Sequence, residues 1–335
     1  MQTQIPTLLA SLLLAGAAQA TEVTFFSHSL IIRSETAYEP AYANNTTRAI
    51  DTQFGPTPSH AGVAVTNAFG TQQAVSTASL SQAELKAGAW TDQMTAPAKS
   101  GLALSAIAAL GDSFELLHAD GSPFVVSGGM ATFSMAVSGQ GQAAQGMAWA
   151  APSATAYLEL FILSPGAIDR WKPNAFGGFP IHVEDIVQVF QWGATPGSTT
   201  ALDYSTFGTT YQMHAIPVLN DGDVALAQFE APAAFDWLAR LSAGVTLFSG
   251  DPAAYAYSDF SHTVNLSFDG PDGSLTQSAS GLFPGTVAAV PEPAPLPLLL
   301  AACLPWWVRR RRLSKGACGR EPVADRAASR HHAWP

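Results

Sequence analysis

Short apolar runs separated by turn-forming residues extend through most of this 335-residue chain. In residues 131–137, Phe133, Met135 and Val137 alternate with small or polar residues. This alternation with a period of two places the apolar side chains on one face of a strand. Turn residues recur at intervals of roughly 10 residues, a spacing typical of antiparallel sandwiches. Long amphipathic helices are not evident, so we predict an all-β, antiparallel β-sandwich-like body.

The same pattern assigns individual strands. Predicted strands cover residues 22–32, 62–68, 80–90, 103–117, 124–137, 155–163, 181–192, 211–216, 224–229 and 263–268. Residues 38–61 are polar and rich in turn formers, which predicts a loop, whereas residues 235–245 fit either a helical turn or a strand. Asp-Gly pairs favour positive φ and predict turns at Gly121, Gly222 and Gly273, and Gly111-Asp112 predicts a turn inside residues 103–117.

The N-terminus has the features of a secretory signal peptide in residues 1–20. A short leucine-rich core is followed by Ala18-Gln19-Ala20. Small residues at Ala18 and Ala20, on either side of a bulkier one, suit signal peptidase cleavage. We therefore expect signal peptidase as a processing partner and an exported body that begins at Thr21.

Three ordered elements mark the C-terminus. Pro291, Glu292 and Pro293 precede an uncharged, leucine-rich run of 15 residues, 294–308, and the block Arg309, Arg310, Arg311 and Arg312 follows it. An apolar run can enter a bilayer, and the arginines resist transfer and stay on the cytoplasmic side. The run is shorter than the roughly 20 residues of a full span, so we expect a short hydrophobic anchor in the inner membrane. Residues 313–335 are basic and without periodicity, which predicts a disordered cytoplasmic tail.

This C-terminal arrangement resembles the PEP-CTERM sorting signal of proteins exported in Gram-negative bacteria. The resemblance implies processing by exosortase, an integral-membrane cysteine protease, near Pro291-Glu292-Pro293. It also implies a place at the cell surface or in an exopolysaccharide-rich matrix. The expected organisation is a signal peptide at residues 1–20, an exported body at 21–289, a sorting and anchor segment at 290–312 and the tail at 313–335.

Charge separates sharply along the chain. Between Thr21 and Val290 there are 7 Lys/Arg and 22 Asp/Glu, whereas residues 309–335 hold 8 basic and 2 acidic residues. An acidic body lacks the basic face that phosphate contacts need, which argues against nucleic acid as a partner. Both cysteines, Cys303 and Cys318, follow the Pro-Glu-Pro motif, so the body must be stable without disulfides. We expect no cofactor.

One pair of motifs suggests catalysis. Gly111-Asp112-Ser113-Phe114 and Asp259-Phe260-Ser261-His262 resemble the Gly-Asp-Ser and Asp-x-x-His elements of the GDSL esterase/lipase family. The resemblance implies Ser113 as nucleophile, His262 as its base and Asp259 as the residue that orients the base. A tight turn that opens a strand is the alternative interpretation of residues 111–114.

Other polar clusters could bind cations, and the tryptophans could bind sugars. Asp221 and Asp223 place carboxylates in one tight loop and residues 269–272 do so in another, as weak calcium sites require. His182 and Glu184 fall on one face of a predicted strand but are too few for a metal site. An exposed row of tryptophans would suit sugar stacking, since each indole is a flat apolar plate. Of the body tryptophans (Trp90, Trp149, Trp171, Trp192 and Trp237), Trp171 lies between charges and is expected to be exposed.

Three classes of function remain open at this point. The sequence most favours an exported structural or adhesive protein of the cell surface or matrix, associated with exopolysaccharide. A carbohydrate- or calcium-binding surface module is second, and an esterase is third.

Overall fold

The computed structural model describes residues 25–37, 45–67, 70–92, 100–124, 129–143, 153–180, 182–194, 201–207, 210–216, 219–248 and 255–288. The signal peptide, the Pro-Glu-Pro motif, the apolar run, the arginine block and the tail all lie outside these residues. Thr21–Ala289 forms one compact unit. No helix within the described part of the chain is long and apolar enough to cross a membrane.

The described chain is nearly all strand, in agreement with the predicted all-β class. The strands are β1 (Phe26–Ala37), β2 (Asn45–Gln53), β3 (Ser59–Asn67), β4 (Gly70–Ser79), β5 (Glu84–Asp92), β6 (Ser100–Leu117), β7 (Met130–Ala143), β8 (Ser153–Leu163), β9 (Ile186–Ala194), β10 (Ala201–Phe207), β11 (Thr210–Ile216), β12 (Val224–Glu230), β13 (Ala234–Phe248), β14 (Ala256–Asp269), β15 (Leu275–Ser278) and β16 (Val287–Ala288). A short 3₁₀ helix, Val183–Asp185, precedes β9.

Two antiparallel sheets pack face to face, which confirms the sandwich-like body. Sheet I has the order β2-β1-β6-β13-β8-β9, and β15 continues alongside β6 beyond the end of β1, with β16 parallel to β15. Sheet II has the order β12-β7-β14-β5-β4-β3, and β10 and β11 form a separate hairpin. Most neighbours in the sheets are distant in sequence, so the long-range pairing positions residues far apart along the chain.

The main core lies between the sheets and is centred on aromatic rings. The ring centroid of Phe114, on β6, lies 5.0 to 6.0 Å from the ring centroids of five other aromatic residues, namely Phe133, Phe235, Trp237, Phe268 and Phe283. Phe114, Phe133, Phe235 and Trp237 are completely buried. These rings come from both sheets, so their contacts hold the sandwich layers together.

A second, smaller core covers the outer face of sheet I. Phe26, Phe161, Leu163, Ala167, Ile168, Trp171 and Leu238 form it. The segment after β8 supplies Ile168 and Trp171, and Asp236 of β13 anchors this segment by accepting a 2.7 Å hydrogen bond from the Ile168 amide. Burial raises the pKa of Asp236 above its ordinary range. The segment after β8 therefore covers part of the outer face of sheet I, whereas the outer face of sheet II carries polar and aromatic side chains.

Two predictions of local structure are wrong. The predicted loop at residues 38–61 contains β2 and the start of β3. As the edge strand of sheet I, β2 pairs with β1 on one side and leaves most side chains exposed, so it can be largely polar. The predicted turn at Gly111-Asp112 lies inside the continuous strand β6. There β1 pairs with one edge of the strand as far as Gly111, and β13 pairs with the other edge at both residues.

Two further segments are settled by tertiary pairing. The ambiguous residues 235–245 belong to β13, which pairs with β6 on one side and β8 on the other. The predicted strand at 181–192 is shorter than expected, since His182 caps the 3₁₀ helix and β9 begins at Ile186. The Asp-Gly turns are confirmed: Gly121, Gly222 and Gly273 have φ of 82°, 85° and 83°, a conformation that glycine adopts without steric cost.

Candidate functional site

Ser113 and Asp259, the proposed nucleophile and orienting residue of the esterase, lie on opposite sides of the sandwich. Ser113 neighbours Phe114 on β6; since Phe114 points between the sheets, Ser113 points away from sheet II. Ser258 on β14 donates a 2.8 Å hydrogen bond to the Thr155 carbonyl of sheet I, so the adjacent Asp259 points away from sheet I. The whole thickness of two packed sheets, about 10 Å between their planes, therefore separates Ser113 from Asp259.

Both residues also have local partners. Ser113 hydrogen-bonds to Asp236, its register neighbour on β13. Asp259 accepts hydrogen bonds from the Ser261 amide at 3.1 Å and the Ser261 hydroxyl at 2.5 Å. The side chain of His262 lies outside the described residues. Because the serine and the orienting aspartate are not brought together, the resemblance to the esterase motifs does not extend to an assembled triad.

Asp112, the middle residue of the Gly-Asp-Ser motif, has a structural role. Its carboxylate accepts 2.6 Å hydrogen bonds from the hydroxyls of Ser278 and Ser280, a 2.8 Å bond from the Ser113 amide and a 3.2 Å bond from the Ser280 amide. Asp112 thus ties the segment around β15 to β6. Burial raises its pKa from 3.8 to about 6, against the opposing effect of these hydrogen bonds.

The raised pKa of Asp112 predicts a pH-dependent stability. The folded state holds this proton more tightly than the unfolded state, so the contribution is fully present below pH 3.8 and is lost as pH rises through about 6. Relative to Asp112→Asn, the wild-type free energy of unfolding should fall by roughly 2 kcal/mol between pH 4 and pH 7, since each unit of pKa shift corresponds to about 1.4 kcal/mol and part of the contribution is already lost at pH 4. Urea unfolding of both proteins across this pH range measures the difference.

The comparison with Asp112→Asn removes contributions that both proteins share. Burial lowers the pKa of His28 to about 4, so its contribution has the opposite slope and is lost as pH falls below 6.5. Asp120→Asn is the matched control, because Asp120 is an exposed residue of the turn that follows β6 and accepts its hydrogen bonds from Ser122, two residues later. A decline that persisted in Asp112→Asn would contradict the assignment.

In the first candidate cation loop, both carboxylates accept hydrogen bonds from neighbouring groups. Asp221 accepts from the Ser138 hydroxyl at 3.2 Å and the Gly139 amide at 3.1 Å, and Asp223 accepts from the Asn220 amide at 2.7 Å. In the loop at residues 269–272 the observed bonds join Ser274 to the Pro271 carbonyl. Among the described residues, no three or more His, Cys, Asp or Glu side chains are grouped as metal ligands would be. His182 and Glu184 form only an exposed pair, 3.5 Å apart.

Most described tryptophans are buried, and the expectation for Trp171 is wrong. Trp171 is 1% exposed and its indole N–H donates a 3.1 Å hydrogen bond to Asp185. Arg170 also donates to Asp185 and holds the pKa of that carboxyl below its usual range. Trp192 and Trp237 belong to the main core, and Trp149 lies outside the described residues. Trp90, on β5, is the partly exposed tryptophan of the described set.

Trp90 lies on the outer face of sheet II in an unusual position. The neighbouring residues Ala87 and Ala89 are buried in the main core, so Trp90 points away from sheet I. A Cβ atom placed on Gly88 would be 2.3 to 2.9 Å from three atoms of the six-membered ring of Trp90. The indole therefore lies over Gly88, and it covers the bare backbone of its own strand. Only glycine leaves room for this arrangement.

A row of amide and aromatic side chains crosses sheet II through Trp90. Trp90 is the register neighbour of Gln73 on β4 and of Tyr257 on β14, and Tyr257 is in turn the neighbour of Gln142 on β7. The Tyr257 hydroxyl donates a 3.1 Å hydrogen bond to the Gln142 amide oxygen. Tyr255, 37% exposed, lies two residues before Tyr257. We call Gln73, Trp90, Tyr255, Tyr257 and Gln142 the aromatic face.

The aromatic face borders a groove of about 440 Å³, within the range of small-molecule sites. Thr71, Gln73, Trp90, Thr91, Tyr255, Ala256 and Tyr257 line it, and none carries a charge. From the sequence, tryptophans alone pointed to a sugar-binding face, and the tyrosines and glutamines of this row were not predicted. The alternation of residues 255–259 could have predicted that Tyr255 and Tyr257 share one face of a strand. The register that aligns four strands cannot be predicted from any local pattern.

Comparisons with protein-family models, with curated proteins and with solved structures find no match to this chain. The sorting residues Pro291, Glu292, Pro293 and Arg309 to Arg312, and the cleavage residues Ala18 and Ala20, lie outside the described part of the chain. The aromatic face is therefore the candidate site that is supported by the positions of described side chains.

Proposed function

We propose that this protein is exported, sorted by exosortase at Pro291-Glu292-Pro293, and retained at the cell surface or in an exopolysaccharide-associated matrix as a structural or adhesive component. The observation that carries the proposal is the order of three elements: Pro-Glu-Pro, a 15-residue apolar run and four arginines. This route has two further partners. Signal peptidase cuts after Ala20, and the inner membrane holds the apolar run.

The body is compatible with such processing. Its last strand, β16, ends at Ala288, three residues before Pro291. A cut near Pro291 would therefore remove no strand of the described sandwich. Asp112 holds Ser278 and Ser280 to β6, and β16 pairs with β15, so the segment that leads to the motif is attached to the body. The body also contains no cysteine, so its folding after export depends on no disulfide.

Truncation before Pro291 tests the proposal. We expect a variant lacking residues 291–335 to be exported and then released into the medium, whereas the full-length chain is retained with cells or matrix. Fractionation measures the location, and mass spectrometry of each fraction reports the processing of both ends. A chain in which Arg309, Arg310, Arg311 and Arg312 are replaced by Gln should lose membrane retention, since the charges that resist transfer are gone.

Two controls separate sorting from general effects of the tail. A variant lacking only residues 313–335 keeps all three elements and is expected to behave as the full-length chain. Pro291→Ala with Pro293→Ala keeps the anchor and should accumulate uncut in the membrane. Equal distribution of the 291–335 deletion and the full-length chain would refute the proposal, and so would finding the full-length chain in the cytosol.

A carbohydrate-binding surface module is the second candidate. The aromatic face of sheet II favours it, because a partly exposed indole flanked by tyrosines and amides suits the apolar faces and hydroxyls of sugars. For the calcium-binding form of this candidate, the loop of Asp221 and Asp223 is the weaker support, since both carboxylates already accept hydrogen bonds from their own loop and from β7.

A further inference from the structure

We infer that the aromatic face binds an uncharged polysaccharide of equatorially linked hexoses, with the chain crossing β4, β5, β14 and β7. This inference rests on the second candidate function and specifies its ligand class. Trp90 and Tyr257 supply the stacking surface, and Gln73 and Gln142 supply hydrogen bonds at its two ends. The shape of the face indicates the linkage of the ligand, and the electrostatics of the face indicate a ligand without charge.

The position of the indole explains the stacking. Because the six-membered ring of Trp90 lies over Gly88, it is spread along the sheet instead of standing upright. A ring in this position offers a flat apolar surface to a ligand that approaches from solvent. Equatorially linked hexoses have flat faces of C–H groups, which pack on such a surface, whereas axially linked chains curve away from it.

The length of the row favours a polymer over a single sugar. Gln73, Trp90, Tyr257 and Gln142 lie on four neighbouring strands. Strands are about 4.8 Å apart, so the row extends about 14 Å across the sheet. The hydrogen bond from Tyr257 to Gln142 holds the phenol ring in place, which reduces the entropy lost when a ligand binds. The amides at both ends can donate to and accept from sugar hydroxyls.

The charges around the row favour an uncharged ligand. The groove lining carries no charged side chain. Asp259 lies two residues from Tyr257 on the same face, and Lys86, two residues before Gly88, is paired with Glu84 at 3.1 Å. The body as a whole has 7 basic and 22 acidic residues between Thr21 and Val290. An anionic polysaccharide would be repelled by this field, whereas a neutral chain is unaffected.

Calorimetric titration of the full chain, in a detergent without a sugar headgroup, tests the inference. The probes are a soluble β-1,4-glucan hexasaccharide, an α-1,6-glucan of equal length and polygalacturonate. We expect binding of the β-linked glucan that is insensitive to salt, and at least tenfold weaker binding of the other two. Trp90→Ala should weaken binding of the β-linked glucan at least tenfold, since loss of stacking on that scale is about 1.4 kcal/mol.

Further variants distinguish stacking from a change in folding. Gly88→Ala keeps the indole but forces it off the strand, and it should also weaken binding, whereas Trp90→Phe should retain part of it. Leu226→Ala is the matched control, because Leu226 is an apolar residue of sheet II that is 55% exposed and far from the row. Circular dichroism and melting temperature verify that each variant is folded.

The outcomes separate the ligand class from the broader function. Binding of polygalacturonate or the α-linked glucan that depends on Trp90 would overturn the ligand class and keep the carbohydrate-binding function. Binding of none of the three, or binding of the β-linked glucan that is unchanged in both Trp90→Ala and Gly88→Ala, would overturn the inference. Export and sorting are measured independently by fractionation and are unaffected by either result.

Discussion

Replacement of Phe114 by Ala should lower the free energy of unfolding by about 3–5 kcal/mol, the range for large aromatic side chains in cores. Phe114 is completely buried and contacts five aromatic rings from both sheets. Four of these neighbours, Phe133, Phe235, Trp237 and Phe268, belong to paired strands that limit how far they can move into the void, so a cavity should remain. Because a domain is stable by only about 5–15 kcal/mol, this loss is a large share of the total. Urea unfolding followed by tryptophan fluorescence measures it.

Phe54→Ala is the matched control for Phe114→Ala. Phe54 follows β2 and is 49% exposed, so removal of its ring creates no cavity. We expect its effect to remain within about 0.5 kcal/mol. Similar values for the two variants would show that the aromatic cluster does not hold the sheets together.

Removal of one partner of the buried ion pair between Arg33 and Glu35 should be comparably destabilising. Arg33 and Glu35 belong to β1 and are 4% and 5% exposed, and their side chains contact Gln72 of β4. The Glu35 carboxylate also accepts from Asn67 at 2.7 Å and from Gln72 at 3.3 Å. Glu35→Ala leaves the guanidinium buried without its counter-charge, which typically costs about 3–5 kcal/mol. The midpoint of urea unfolding should fall accordingly.

The double variant Arg33→Met with Glu35→Met separates the pair from its environment. Apolar residues of similar volume remove both charges, and such exchanges are often neutral. We therefore expect the double variant to be more stable than Glu35→Ala, although Gln72 and Asn67 lose their hydrogen bonds to the pair. A double variant less stable than Glu35→Ala would mean that the charges contribute more together than their desolvation costs.

Residues that face the core could be read from the sequence where they alternate. The alternation of Phe133, Met135 and Val137 predicted the buried face of β7, and all three are buried. The Asp-Gly turns were also predictable, because positive φ is a local property of glycine. By contrast, β2 was missed because an edge strand needs no apolar alternation, and its polar sequence resembles a loop.

Pairing between distant segments decided the remaining cases. Asp112 looked like a turn residue, but it lies in a central strand that pairs with β13. Ser278 and Ser280, 166 and 168 residues later, satisfy its buried carboxylate. Trp171 looked exposed between Arg170 and Lys172. It is buried because Asp185 accepts hydrogen bonds from both Arg170 and the indole. Neither partner can be identified from the residues next to Asp112 or Trp171 in the chain.

The sequence by itself determined the all-β class, since period-two alternation and glycine turns depend only on neighbouring residues. It also determined the expectation of export and sorting, which rests on linear motifs at both ends. The tertiary structure alone decided that Ser113 and Asp259 lie on opposite faces and that Gln73, Trp90, Tyr257 and Gln142 form one row. The physical reason is register: a shift of one residue in strand pairing would send each side chain to the other face, and long-range packing fixes that register.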